Sequence, residues 1–151
     1  MWASSITAYF HYLGFMVAFA SLTVEFFNLK KEMTLEEAKR VSFADAAYGI
    51  AAVVILVTGV LRVLYFGKGT DYYLHNPFFY AKIGVFIIVG LLSLYPTFTF
   101  ISWIKDLQND RVPNLEIPQF TKLSWLIKGE LFGFSLIPLL AAIMARMSWW
   151  S

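Results

Sequence analysis

The chain has 151 residues, of which 59% are hydrophobic and 19% aromatic, while only 15% are charged and the net charge is +2. A soluble core of this length lacks the polar residues to cover so much apolar surface, whereas a bilayer solvates that surface directly. The small net charge and the lack of a basic run give no nucleic-acid signature, and the absence of cysteine excludes disulfides, thiolate metal sites, iron–sulfur clusters and cysteine nucleophiles.

Four apolar stretches are long enough to cross a hydrocarbon core of about 30 Å, which takes about 20 helical residues. They lie near Ser5–Leu29, Ala44–Phe66, Pro77–Trp103 and Leu123–Met147. Ala18-Phe19-Ala20 resembles a cleavage site, but no Lys or Arg precedes the first stretch, so it reads as a retained span. The spans lack period-2 alternation, which leaves helices as the only structure able to satisfy their backbone in lipid. The predicted fold is therefore all-α: an integral membrane four-helix bundle, up-down-up-down, forming a single domain over residues 1–151.

Local signals mark the ends of these helices. The Thr34–Glu37 segment has the form of a cap for a short interfacial turn, and Gly67-Lys68-Gly69 closes the second helix. Asn76-Pro77 pairs an N-cap with proline at the first helical position. The third loop, with Pro113 and Pro118, is expected to lie extended or partly helical on the membrane surface. Trp103, Trp125, Trp149, Trp150, Tyr72 and Tyr73 sit at span ends, where an aromatic belt belongs. Lys30, Lys31, Lys39 and Arg40 in loop one and Lys105, Arg111 and Lys122 in loop three outweigh Lys68 on the other side. This bias places loops one and three in the cytoplasm and both termini outside.

Polar residues inside the spans fall at helical spacing and mark the inward faces. The first span carries His11, Gly14, Ala18, Ser21 and Glu25, and the second Asp45, Gly49, Ala52, Gly59 and Arg62. The third carries Lys82, Phe86, Gly90, Ser93 and Thr97, and the fourth Glu130, Gly133, Ile137, Ala141 and Ala145. By depth, His11, Arg62, His75, Lys82 and Arg146 fall toward the outer side, and Glu25, Asp45, Lys128 and Glu130 toward the inner side. A cationic pocket walled by Phe10, Phe86 and Tyr80 suits an amphipathic anionic ligand. Haem fits: an apolar macrocycle, two propionates for Arg or Lys, and His as axial ligand. Plainer readings stand beside this one. His11 could be a helix-to-helix hydrogen-bond partner, Lys82 could snorkel to the interface, and Arg62 and Arg146 could be interfacial anchors. His75 reads as a solvated loop residue.

Phe10-His11-Tyr12-Leu13-Gly14 is similar to the His-x-x-Gly opening of the HemJ family of membrane protoporphyrinogen oxidases, and Phe79-Tyr80-Ala81-Lys82-Ile83-Gly84 resembles that family's third-helix segment. The order of spans, the chain length and Pro138 in the last helix also look alike. Over its whole length the chain resembles a family of small bacterial four-span membrane proteins of unknown function, a distant cousin of HemJ. The resemblance implies haem b held by His11 and Lys82. The first helix ends with Glu25 here, and Gly129-Glu130 precedes Pro138, both departures from the HemJ pattern. What carries over is thus the haem site rather than the oxidase reaction.

The leading expectation is a haem b-binding protein of the bacterial inner (cytoplasmic) membrane with a redox or haem-related role. It would be a haem-dependent oxidoreductase exchanging electrons with a quinone or small redox molecule. His11 and Lys82 would ligate the iron, and Arg62 and Arg146 would neutralise propionates. Two other classes compete. One is a proton- or cation-coupled transport subunit using Glu25, Asp45 and Glu130, which needs a homo-oligomer because four spans are few for a transporter. The other is a structural subunit whose polar residues only specify packing.

Overall fold

The computed structural model describes residues 2–146. Trp149 and Trp150 of the expected aromatic belt lie outside them. Helix α1 spans Trp2–Asn28; α2 spans Leu35–Leu61 and continues as a π-helical turn over Arg62–Phe66. A one-turn helix α3 (Thr70–Leu74) leads to α4 (Pro77–Ser102), a second short helix α5 (Ile104–Gln108) follows, and α6 (Ile117–Arg146) closes the bundle. No strand occurs among the described residues. The protein is a four-helix membrane bundle, with four helices long and apolar enough to span a bilayer.

The helix starts follow from their capping chemistry. Thr34 accepts a hydrogen bond from the Glu37 amide at 3.1 Å, while Glu37 accepts one from the Thr34 amide at 3.0 Å. This reciprocal pair satisfies two amides that the first turn leaves without intrahelical partners. It opens the long helix α2 at Leu35 instead of capping a separate turn, so α2 starts well before Ala44. Asn76 accepts from the Phe78 amide at 3.0 Å beside Pro77, which starts α4 as the sequence suggests. Asn76 is fully buried, and its amide and the Tyr72 hydroxyl both donate to the Met144 carbonyl, tying α3 to the end of α6. Pro118 sits in the first turn of α6, where a missing N–H costs nothing.

Helix α1 packs closest on α2, and α4 closest on α6; α1 also meets α6, and α2 meets α4. Two tight hairpins thus face each other around a square. Gly14 permits the first approach: a Cβ there would stand 3.1 Å from Ile55. Gly133 permits the second, because a Cβ would overlap the Val89 side chain. The inward stripe of α1 and the first part of that of α6 match expectation, with Gly14, Ala18, Ser21, Glu25, Glu130 and Gly133 buried. Helix α2 is rotated from its expected phase: Tyr48, Ala51, Ile55 and Thr58 are buried, whereas Gly49 is exposed. Ala145, expected on the inward stripe of α6, is likewise exposed, and Met144 takes the buried position. Large apolar side chains such as Ile50, Val53, Ile87, Leu91 and Phe132 face outward, where lipid solvates them.

The core divides into layers along the bundle axis. At the end bearing loops one and three, Leu29, Met33, Ala38, Val41, Phe100, Trp103, Leu107, Leu115, Leu123 and Ile127 form one apolar cluster. A middle cluster joins Ala18, Leu22, Tyr48, Ala51, Ile55, Val89 and Phe134, with Phe15 and Phe86 against it. A third, at the opposite end, contains Tyr73, Phe79 and Met144. Polar side chains occupy the levels between these clusters.

Because Gly133 already touches Val89, Gly133→Ala should destabilise the bundle by about 1–3 kcal/mol through overpacking. Gly49 has nothing within 4 Å of an added Cβ, so Gly49→Ala should stabilise α2 by up to about 1 kcal/mol. Unfolding of the two variants in mixed micelles, measured by circular dichroism, should move in opposite directions.

Candidate functional site

The upper polar level is built from α1, α2 and α4. His11 lies half-buried on α1, three residues before the tight contact at Gly14. Its Nδ1 is 2.9 Å from the Thr58 hydroxyl oxygen on α2. That hydroxyl has a single proton, which it donates to the Val54 carbonyl at 2.6 Å. Thr58 can therefore only accept from His11, so the ring carries its proton on Nδ1. The Ile55 backbone is also within hydrogen-bond reach of the ring, and with the proton on Nδ1 the lone pair of the neutral imidazole lies on Nε2. A second partner that fixes the tautomer in this way is the usual setting of a metal-binding histidine.

Two cations act on this ring. The charge of Lys82, on α4, bears on His11 most, and that of Arg62, in the π turn, next. Arg62 lies half-buried with its guanidinium 5.2 Å from the centre of the Tyr12 ring. The ion pairs among the described residues are Lys30–Glu37, Lys39–Asp110, Arg40–Glu36 and Arg111–Asp106, all near loops one and three. Neither Lys82 nor Arg62 has an acidic partner, so the upper level carries uncompensated positive charge.

The lower level is acidic. Glu25 on α1 and Glu130 on α6 are each 1% exposed, and Asp45 on α2 is 6% exposed. The Glu25 carboxyl faces that of Asp45 across α1 and α2, and Thr97 on α4 lies within reach of Asp45. The Tyr48 hydroxyl lies within reach of Glu130 and Ser93. One oxygen of Glu25 and one of Glu130 are buried with no hydrogen-bond partner.

Three residues expected at the cationic site are thus brought together: His11, Arg62 and Lys82. Arg146 stands exposed in the last turn of α6 and is not among the charges acting on His11. The aromatic wall differs from expectation. Phe10 and Tyr80 are about half exposed and face outward, because each is offset from the inward line of its helix; only Phe86 packs into the core. His75 is exposed at the end of α3, with Nδ1 2.8 Å from the Asp71 carbonyl oxygen. Lys128 is exposed beside Trp125 and takes no part in the acidic level. Thr58 and Tyr48 are the additions. Thr58 precedes Arg62 by one turn and Tyr48 follows Asp45 by almost one, and that spacing is the signal that could have placed them inward.

A family profile described as "Predicted membrane protein (DUF2214)" matches residues 3–147. The chain belongs to this family. The description names the membrane and no reaction, so the chemistry of these two levels must be read from the side chains. No curated protein and no solved structure matches the chain.

The tautomer assignment is open to direct measurement. With 15N-labelled histidine, nuclear magnetic resonance of the purified protein should show His11 protonated at Nδ1 and bare at Nε2. In Thr58→Val the Nδ1 proton loses its acceptor, and the two tautomers should mix.

Proposed function

We propose that this protein binds haem b at the upper level of the bundle, where His11 would hold the iron, and serves a redox or haem-related role in the membrane. One observation carries the reading: Thr58 accepts from His11 Nδ1, which leaves the imidazole lone pair on Nε2, and the charges of Lys82 and Arg62 bear on the same ring. The donor set fits the group. An imidazole nitrogen suits the iron, and Arg62 suits a propionate, which it can meet with two parallel N–H bonds. Lys82 on α4 is the candidate second ligand, in the neutral amine form that frees its lone pair. Bound there, haem b would supply one-electron chemistry, with a quinone or small redox molecule as the partner. The similarity of Phe10–Gly14 and Phe79–Gly84 to HemJ segments supports the same two residues.

The position of the site near the end of the bundle gives access from one membrane surface. The excess of basic residues in loops one and three supports an orientation with that surface outside, in a cytoplasmic membrane. Since the chain has no cysteine, single replacements report sidedness cleanly. Lys68→Cys should react with an impermeant maleimide on intact cells, and Lys31→Cys only after permeabilisation; the reverse pattern would invert the orientation.

The absorption spectrum of detergent-purified protein tests the haem reading. A Soret band is expected as purified or after haem addition, and His11→Ala should abolish it. Thr58→Val should weaken haem binding by about 10–100-fold, as loss of an outer-shell partner does. No band after reconstitution, or an unchanged band in His11→Ala, would sink the proposal.

A further inference from the structure

The lower level plays no part in that reading, yet it is the most costly feature of the bundle. Glu25, Asp45 and Glu130 lie at one depth with apolar clusters above and below them. The groups facing them are Ser21 on α1, Tyr48 on α2, Ser93 and Thr97 on α4, and no cation. The nearest lysines along α6 are turned away, Lys122 onto Tyr95 at 4.0 Å and Lys128 onto Trp125 at 4.8 Å. Three ionised carboxylates without counter-charge cannot be held in such a place.

Two features show what balances them. Glu25 and Asp45 are buried with their carboxyls facing each other, and one of two such carboxyls can donate to the other only if it carries a proton. Glu25 Oε1 and Glu130 Oε2 are buried and bare, so the level has acceptor capacity that no protein group fills. A metal cation would need several oxygens converging on one point. Among the described residues no three His, Cys, Asp or Glu side chains are grouped to hold one. A proton needs a single oxygen.

We propose that the Glu25–Asp45–Glu130 level is an intramembrane proton-binding site, in which the Glu25–Asp45 pair keeps one proton between its carboxyls and the bare oxygens of Glu25 and Glu130 take up and release others. Tyr48 on α2, within reach of Glu130, and Thr97 on α4, within reach of Asp45, flank the carboxyls. The site is independent of haem and lies below the middle apolar cluster, so its test does not involve the Soret band.

Infrared difference spectra of the purified full-length protein in H2O and D2O read protonated carboxylic acids directly. At neutral pH the wild type should show a carboxylic-acid C=O band that moves down in D2O. Asp45→Asn and Glu25→Gln should each remove about half of its area or more, as expected where two acids share a proton. Lys128→Gln should leave it unchanged. No such band in the wild type at neutral pH would overturn the proposal, as would a band that persists in both carboxyl variants. Loss of the wild-type band on adding sodium would overturn it in favour of a metal cation. The wild-type spectrum decides the matter even if a variant fails to fold.

Discussion

The cost of holding ionisable groups away from water governs this structure. Taking an ion out of water costs several kcal/mol even after relaxation, and lipid offers no partner to offset it. The bundle nonetheless places Lys82, Arg62 and His11 at one level and Glu25, Asp45 and Glu130 at another. The two sets could neutralise each other, yet the middle cluster around Ile55, Val89 and Phe134 keeps them apart. Opposite charges separated by a packed apolar layer do not pair, so each level needs its own counter-charge. In the proposed reading an anionic ligand meets that requirement at one level and protons meet it at the other.

The packing serves the same end. Gly14 and Gly133 bring each hairpin together tightly, leaving the interface between hairpins to larger side chains. The polar levels span that interface: Glu25 and Asp45 come from one hairpin, Glu130 and Thr97 from the other. His11 and Thr58 share a hairpin while Lys82 comes from its neighbour. Both levels therefore depend on how the hairpins face each other, and a change in that docking would move both at once. The ion pairs around loops one and three, by contrast, are exposed and each worth at most about 1 kcal/mol.

Much of this was legible in the sequence, and the misses have physical causes. The four spans, the Asn76 cap and the α1 stripe from His11 to Glu25 are set by local patterns of apolar length, capping and helical spacing. Small residues give the wrong phase for α2, because they do not mark its inward face. Gly49 is small but faces outward, while Tyr48 and Ile55 turn inward because α2 lies against the small Gly14 and Ala18 of α1. Closeness in sequence to His11 and Lys82 does not bring Phe10 and Tyr80 inward, because each helical residue turns by about 100°, which offsets Phe10 by one such step and Tyr80 by two. Thr58 gave no signal of its own, since a threonine in a helix commonly bonds back to its own backbone. Its role exists only because His11 arrives from another helix.

The account rests on His11 as a ligand with its lone pair on Nε2 and the charges of Lys82 and Arg62 bearing on its ring. The most direct measurement is the haem content of the protein purified from membranes and supplied with excess haem, determined as the pyridine haemochromogen and normalised to protein. The account predicts about one haem b per chain, set by a single His11 ligand site. A chain that retains no haem under these conditions, while folded by circular dichroism, would contradict it.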